Sequence, residues 1–177
     1  MKSQIVPFSD SFLSEFISAY RKNYSAQHVL IRLIEEWRQN FDQNLIVGAV
    51  LMDLSKAFDC IPHDLLIAKL VAYGFSKEAL KYIYSYLKGR KQGVKIDDIG
   101  REFLEILSGV PQGSILWRFI FNIFINYIFM FIKYANLHGF ADDHTLSAAA
   151  TTLEKLIAIL SEESVIAIDW LVSQVMV

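Results

Sequence analysis

The sequence predicts an α+β fold, and three segments of its 177 residues carry that expectation. Residues 26–41, AQHVLIRLIEEWRQNF, place Val29, Leu33, Trp37 and Phe41 four apart with charges between them, the period of an amphipathic helix. Residues 45–54, LIVGAVLMDL, form a continuous apolar run suited to a strand buried on both faces. Leu137 to His144 followed by Thr145 to Ala148 reads as a tight hairpin with Asp142 and Asp143 at its tip.

The remaining elements follow in order. Ser25 is placed to cap the first helix, and the polar link Asp42 to Asn44 separates it from the strand. Pro62 opens a second helix through Val71, with Gly74 as its stop. Ser76 to Leu87, containing the tyrosine-rich YIYSYL, makes a third, and a turn at Lys88 to Lys91 ends it. Short strands at Gly93 to Asp97 and Glu102 to Ser108 flank the turn residues Asp97, Asp98 and Gly100, which predicts a hairpin. Gly109 to Gly113 is a loop. The run from Ile115 to Ile132, ILWRFIFNIFINYIFMFI, contains one charge and imitates a membrane span. Arg118, Asn122 and Asn126 recur every four residues within it, a polar stripe that fits a helix buried in a soluble core with this face toward solvent or polar partners. A last helix is expected over Thr152 to Leu171, and the chain carries no internal repeat.

A hydrophobic fraction of 54% excludes a disordered chain. The net charge of −2 supplies no basic footprint for gripping nucleic acid. Cys60 is the single cysteine, which rules out an internal disulfide and suits a reducing compartment. MKSQIVPFSD has no apolar core with a small-residue cleavage site, so an intracellular rather than secreted protein is expected.

The chemistry-bearing residues are acidic. Asp53 ends one apolar run and the Asp142–Asp143 pair ends another, so pairing of the two strands would bring three carboxylates to one point. Carboxylates held that close repel one another, and hard divalent cations with oxygen ligands relieve the repulsion. Two Mg²⁺ ions in such a site clamp the attacking and leaving oxygens of a phosphoryl transfer. The competing reading is that these aspartates cap strand ends in turns. His144, with no second His or Cys nearby in sequence, reads as a hydrogen-bonded or solvated histidine rather than a zinc ligand.

Three motifs stand in sequence order: DLSKAFD, then GVPQGSIL with FNIFIN behind it, then FADD. Together they resemble the palm of reverse transcriptases of non-long-terminal-repeat retrotransposons, over residues 45–116 and 119–172. The resemblance implies an antiparallel palm sheet with helices packed on one face, a partial fingers segment in residues 1–44, and a palm in 45–177 truncated before the thumb. It implies RNA-directed DNA synthesis, in which a primer 3′-hydroxyl attacks the α-phosphate of a deoxynucleoside triphosphate. Asp53 and Asp142 would hold two Mg²⁺, with Mn²⁺ as a possible substitute and Asp143 as a less strictly required companion. Phe58 matches the bulky position that screens the sugar 2′ carbon, although taken alone it reads as a core aromatic. Pro111, Gln112 and Gly113 match the loop that lies against the incoming nucleotide and template base; out of context they would be an ordinary turn. RNA template, DNA primer and triphosphates are the implied partners, with no membrane.

Departures from that pattern bear on activity. Trp117 and Arg118 replace a usual Gly-Pro, at a risk of overpacking, and Tyr127 stands where an Asp is usual. Phe140 keeps a ring but lacks a common hydroxyl. Arg21 matches an aromatic-Arg position at the end of the fingers, while the chain stops before the Asn-Pro-x-Lys stretch and has no endonuclease segment. The expectation is a fragment with negligible activity by itself and weak nucleic-acid binding. Two alternatives stay open: a non-enzymatic remnant or partner-binding module, and a different two-metal enzyme such as a nuclease or cyclase, which would leave GVPQGS unexplained.

Overall fold

A computed structural model describes residues 11–54, 58–93, 95–96, 99–100, 102–109 and 115–175. In chain order the elements are α1 (Ala26–Asp42), β1 (Ile46–Asp53), α2 (His63–Ala72), α3 (Lys77–Leu87), β2 (Lys91–Gln92), β3 (Lys95–Ile96), β4 (Ile99–Gly100), β5 (Leu104–Glu105), α4 (Ile115–Ile125), a 3₁₀ segment (Asn126–Met130), β6 (Asn136–Phe140), β7 (Asp143–Ala150) and α5 (Leu153–Val175). Local chemistry sets several boundaries as expected. Ser76 Oγ accepts from Ala79 N at the start of α3. Gly74, at φ +81°, ends α2 while Phe75 N reaches back to Leu70 O. A hairpin is present with other bounds than expected: two nested ladders, β2 with β5 and β3 with β4, take up Lys91 and Gly100, both expected in turns.

The main sheet has the order β1-β7-β6 and is antiparallel throughout. Strand alternation gives it two unlike faces. Val50, Leu146 and Leu137 lie in one cross-strand row on the inner face. Leu137 and Leu146 join a core with Leu66 and Leu70 of α2, Ile83 and Leu87 of α3, Phe121 and Phe124 of α4, and Trp170 of α5. Gly48 admits α5 to this face, since a Cβ there would stand 2.9 Å from Leu160 Cδ1.

The outer face is polar and binds α1 through hydrogen bonds. Trp37 Nε1 donates to Ser147 Oγ at 2.8 Å, and His138 Nε2 meets Glu36 Oε2 at 2.8 Å. Burial pushes the Glu36 pKa upward, but hydrogen bonds from His138, Asn136 and Ser147 outweigh it and hold the carboxyl below its ordinary range. Helices therefore cover both faces of the sheet, which corrects the expectation of one face. Those packed on the core face all come from residues 45–177, while α1 takes the other because Ser147 and His138 offer it partners.

Two further expectations change. Among the described strands β1 is an edge, and its outer face is open at Leu51, 81% exposed, rather than buried, because α1 bonds to the outer face over Ser147 of β7 and His138 of β6. The run from Ile115 is not one helix: α4 stops at Ile125 and tightens into the 3₁₀ segment. Its polar stripe does meet polar partners. Asn122 Nδ2 donates to Ala19 O at 2.7 Å, and Asn126 accepts from Ser14 N at 2.7 Å while donating to Phe12 O and Tyr73 Oη. These bonds tie the segment before α1 to the core, and Arg118 stays exposed. Among the described residues no helix is long and apolar enough to cross a membrane.

Lys69 of α2 is buried, and burial lowers its pKa to about 8. An amine whose folded pKa lies below its unfolded value loses its proton first in the folded state, so stability rises as pH climbs from about 8 toward 10.5. Allowing for solvent screening, about 1 kcal/mol is expected. Denaturant melts at pH 7 and pH 9.5 should show this increment in the wild type and not in Lys69→Met.

Candidate active site

The sheet register builds one end of the molecule into an acidic corner. Asp53, the last residue of β1, pairs directly with Asp143, the first of β7. Opposed residues of an antiparallel pair have Cα atoms about 4.5–5.5 Å apart. Asp142 belongs to the two-residue turn between Phe140 and Asp143, and its carbonyl accepts from Leu54 N at 3.1 Å. Asp53 and Asp143 are exposed and Asp142 is half-buried. Both strand residues belong to the outer face, where α1 docks on Ser147 and His138.

The three aspartates thus share one sheet end, but no group of three His, Cys, Asp or Glu side chains among the described residues stands close enough to hold a metal ion. His144 follows them in sequence yet belongs to the opposite, inner face. Its ring is buried and its Nδ1 lies 3.3 Å from Asp142 O. Burial pushes its pKa down, against the opposing pull of the Asp142 carbonyl and the Asp143 and Asp142 charges. This is a hydrogen-bonded histidine packed beside Phe129, as the sequence suggested.

Ala141, the first turn residue, has φ +59°. An L side chain in this region is strained, and strain concentrates where a turn must hold a side chain in one place. Ala141→Gly should raise stability by about 1 kcal/mol in urea unfolding. Unchanged or lower stability would show that the alanine methyl makes compensating contacts.

Aromatic rings cluster around Phe58. The half-buried Phe58 packs edge-on to Trp117, centroids 4.6 Å apart at 84°, and against Phe121 at 4.3 Å. Tyr20 meets Trp117 from another side at 5.3 Å and 67°. Trp117 is accommodated in T-shaped geometry, which aromatic pairs favour. The Arg118 guanidinium lies over the Tyr20 ring at 5.3 Å. Burial raises the Tyr20 pKa; Arg118 lowers it and the Asp142 charge raises it, which places this phenol within electrostatic reach of the acidic corner.

Tyr20 was not anticipated as part of this region. Its signals were the neighbouring Arg21 and the aromatic-rich spacing, but its φ of +62° was not readable from sequence. Arg21 itself locks the local chain, donating to Ser14 O at 3.0 Å and Ile17 O at 3.2 Å and lying over the Tyr24 ring.

The loop that carries Phe58 is fastened at Gly109. Gly109 N donates to Ile61 O at 2.8 Å, Ser108 Oγ donates to Asp59 O at 3.1 Å, and His63 Nε2 lies 2.7 Å from Gly109 O. Pro111, Gln112 and Gly113, the expected nucleotide-facing loop, lie outside the described residues.

Comparison with known proteins points to the same family as the resemblance. The family model described as reverse transcriptase (RNA-dependent DNA polymerase) matches residues 1–170. The chain is 30% identical over 105 residues to the "Probable RNA-directed DNA polymerase from transposon BS" of Drosophila melanogaster, covering 59% of this chain and 12% of that protein. It is 27% identical over 112 residues to the "RNA-directed DNA polymerase from mobile element jockey" of Drosophila funebris, covering 63% of this chain and again 12% of the relative. The chain therefore spans about an eighth of the length of these curated relatives. With a family match running through both strands of the acidic corner and the loop that carries Phe58, the chain belongs to the reverse transcriptase family.

Proposed function

We propose that this chain is the catalytic segment of an RNA-directed DNA polymerase of the non-long-terminal-repeat retrotransposon kind, acting inside the cell on an RNA template, a DNA primer and deoxynucleoside triphosphates. The observation that carries the reading is the pairing of Asp53 with Asp143 beside the Asp142 turn, inside a reverse transcriptase family match. The donor set suits Mg²⁺, which takes one or two carboxylates and completes its shell with water and substrate phosphates rather than an all-protein cage. Exposed carboxylates at a strand end leave room for that shell. Two bound Mg²⁺ ions, or Mn²⁺ in their place, would lower the charge cost of phosphoryl transfer.

In this reading Asp53 and Asp142 are the principal metal ligands and Asp143 their companion. Asp53 and Asp143 are held by the β1–β7 ladder, and Asp142 by the hairpin turn. Phe58 presents its ring toward the sugar of the incoming nucleotide, and Trp117 fixes that ring from the side. Pro111, Gln112 and Gly113 receive the nucleotide and template base.

The relatives are far longer, so the test uses a chimera in which this chain replaces the matching segment of the jockey polymerase. Mg²⁺-dependent extension of a DNA primer on an RNA template, lost in Asp142→Asn, is the expected result. A chimera with native circular dichroism that does not extend the primer, or extension that survives Asp142→Asn, would refute the assignment.

A further inference from the structure

We propose that the cavity beside Lys69 binds an apolar molecule ending in a single carboxylate, at a site separate from the acidic corner. The cavity measures about 730 Å³ and is lined by residues that include Lys69, Tyr127, Phe131, Ile166, Asp169 and Trp170. That volume lies within the range of small-molecule sites, which combine an apolar wall with few polar groups. None of Asp53, Asp142 and Asp143 lines it.

Lys69 is 7% exposed and held among rings. Its Nζ lies 3.9 Å from the Phe124 centroid, 4.5 Å from Trp170 and 5.2 Å from Tyr127. It donates to Phe124 O at 3.2 Å. An ammonium has three donors, and this is its one oxygen acceptor among the described residues, where no carboxylate forms an ion pair with it. A buried charge without a counter-ion is costly, and ring faces offset only part of the cost. An entering carboxylate completes the pair.

The walls select the rest of the ligand. Phe131, Ile166 and Trp170 offer an apolar surface to a chain or ring. Among the described residues Lys69 is the one cation on this lining and balances one negative charge; a second would find no cation there and would also face the exposed Asp169, which favours a monocarboxylate over a phosphate or dicarboxylate.

Octanoate and octanamide differ chiefly in that charge, and isothermal titration of the 177-residue chain with each compares them directly. Octanoate should bind at one site at least tenfold more tightly than octanamide. Lys69→Met should abolish the difference. Ala72→Trp, at an exposed position on the cavity lining, should weaken both ligands while far-ultraviolet circular dichroism stays unchanged. Equal affinity for acid and amide, an acid preference that survives Lys69→Met, or no saturable octanoate binding would each overturn the proposal.

Discussion

Gly109→Ala is expected to destabilise the protein by about 2–5 kcal/mol, a large share of the 5–15 kcal/mol that holds a typical domain together. Gly109 sits at φ +81°, where an L side chain costs about 1–2 kcal/mol. An added Cβ would also stand 2.7 Å from Asp59 O and 2.8 Å from Asp59 C and Cα. Those are backbone atoms, which cannot swing aside as a side chain would, so a strain of about 1–3 kcal/mol is added. Gly74→Ala provides the control, because Gly74 has the same φ and nothing within 4 Å of the built Cβ. Urea unfolding should show Gly109→Ala losing clearly more than Gly74→Ala. Equal losses would mean that the Asp59 segment yields freely and that the fastening described around Phe58 is soft.

Asp53→Asn in the polymerase chimera should lower primer extension by about a thousandfold with little change in folding. The substitution keeps the size and loses the charge, and metal-assisted charge stabilisation is worth several kcal/mol, with each 1.36 kcal/mol equal to a factor of ten in rate. Asp53 is exposed on a strand end, so folding does not depend on burying it. Asp59→Asn, in the loop held by Ser108, should leave extension near the unmodified level. A loss at Asp59 as large as that at Asp53 would remove the distinction between ligand and scaffold.

Periodicity and capping chemistry revealed most of the elements, because those signals are local. Ser76, Gly74 and the turn before Asp143 act within a few residues of themselves. The register of Asp53 with Asp143 was legible for a different reason: each aspartate ends an apolar run, and two such runs can pair with their acidic ends together. What sequence could not show was who stands next to whom. The apolar content of β1 resembles that of a central strand, but an edge is defined by a missing neighbour. The four-residue spacing of Asn122 and Asn126 announced polar partners without naming the Ala19 and Phe12 carbonyls, and it concealed the change to a 3₁₀ turn at Asn126. Nothing in HDLLIAKL marks Lys69 as buried; its acceptor is the carbonyl of Phe124, 55 residues away.

The asparagine and tryptophan ties also set an order in time. Ser14 and Asn126 are 112 residues apart, Ala19 and Asn122 are 103 apart, and Trp37 and Ser147 are 110 apart. At a synthesis rate of about 5–20 residues per second, the first residues leave the ribosome roughly 5–20 s before their partners exist. During that interval Val29 and Leu33 of α1, buried in the folded protein, have no sheet to rest on. Of these paired segments, the one made earlier waits, its apolar face uncovered, for the one made later.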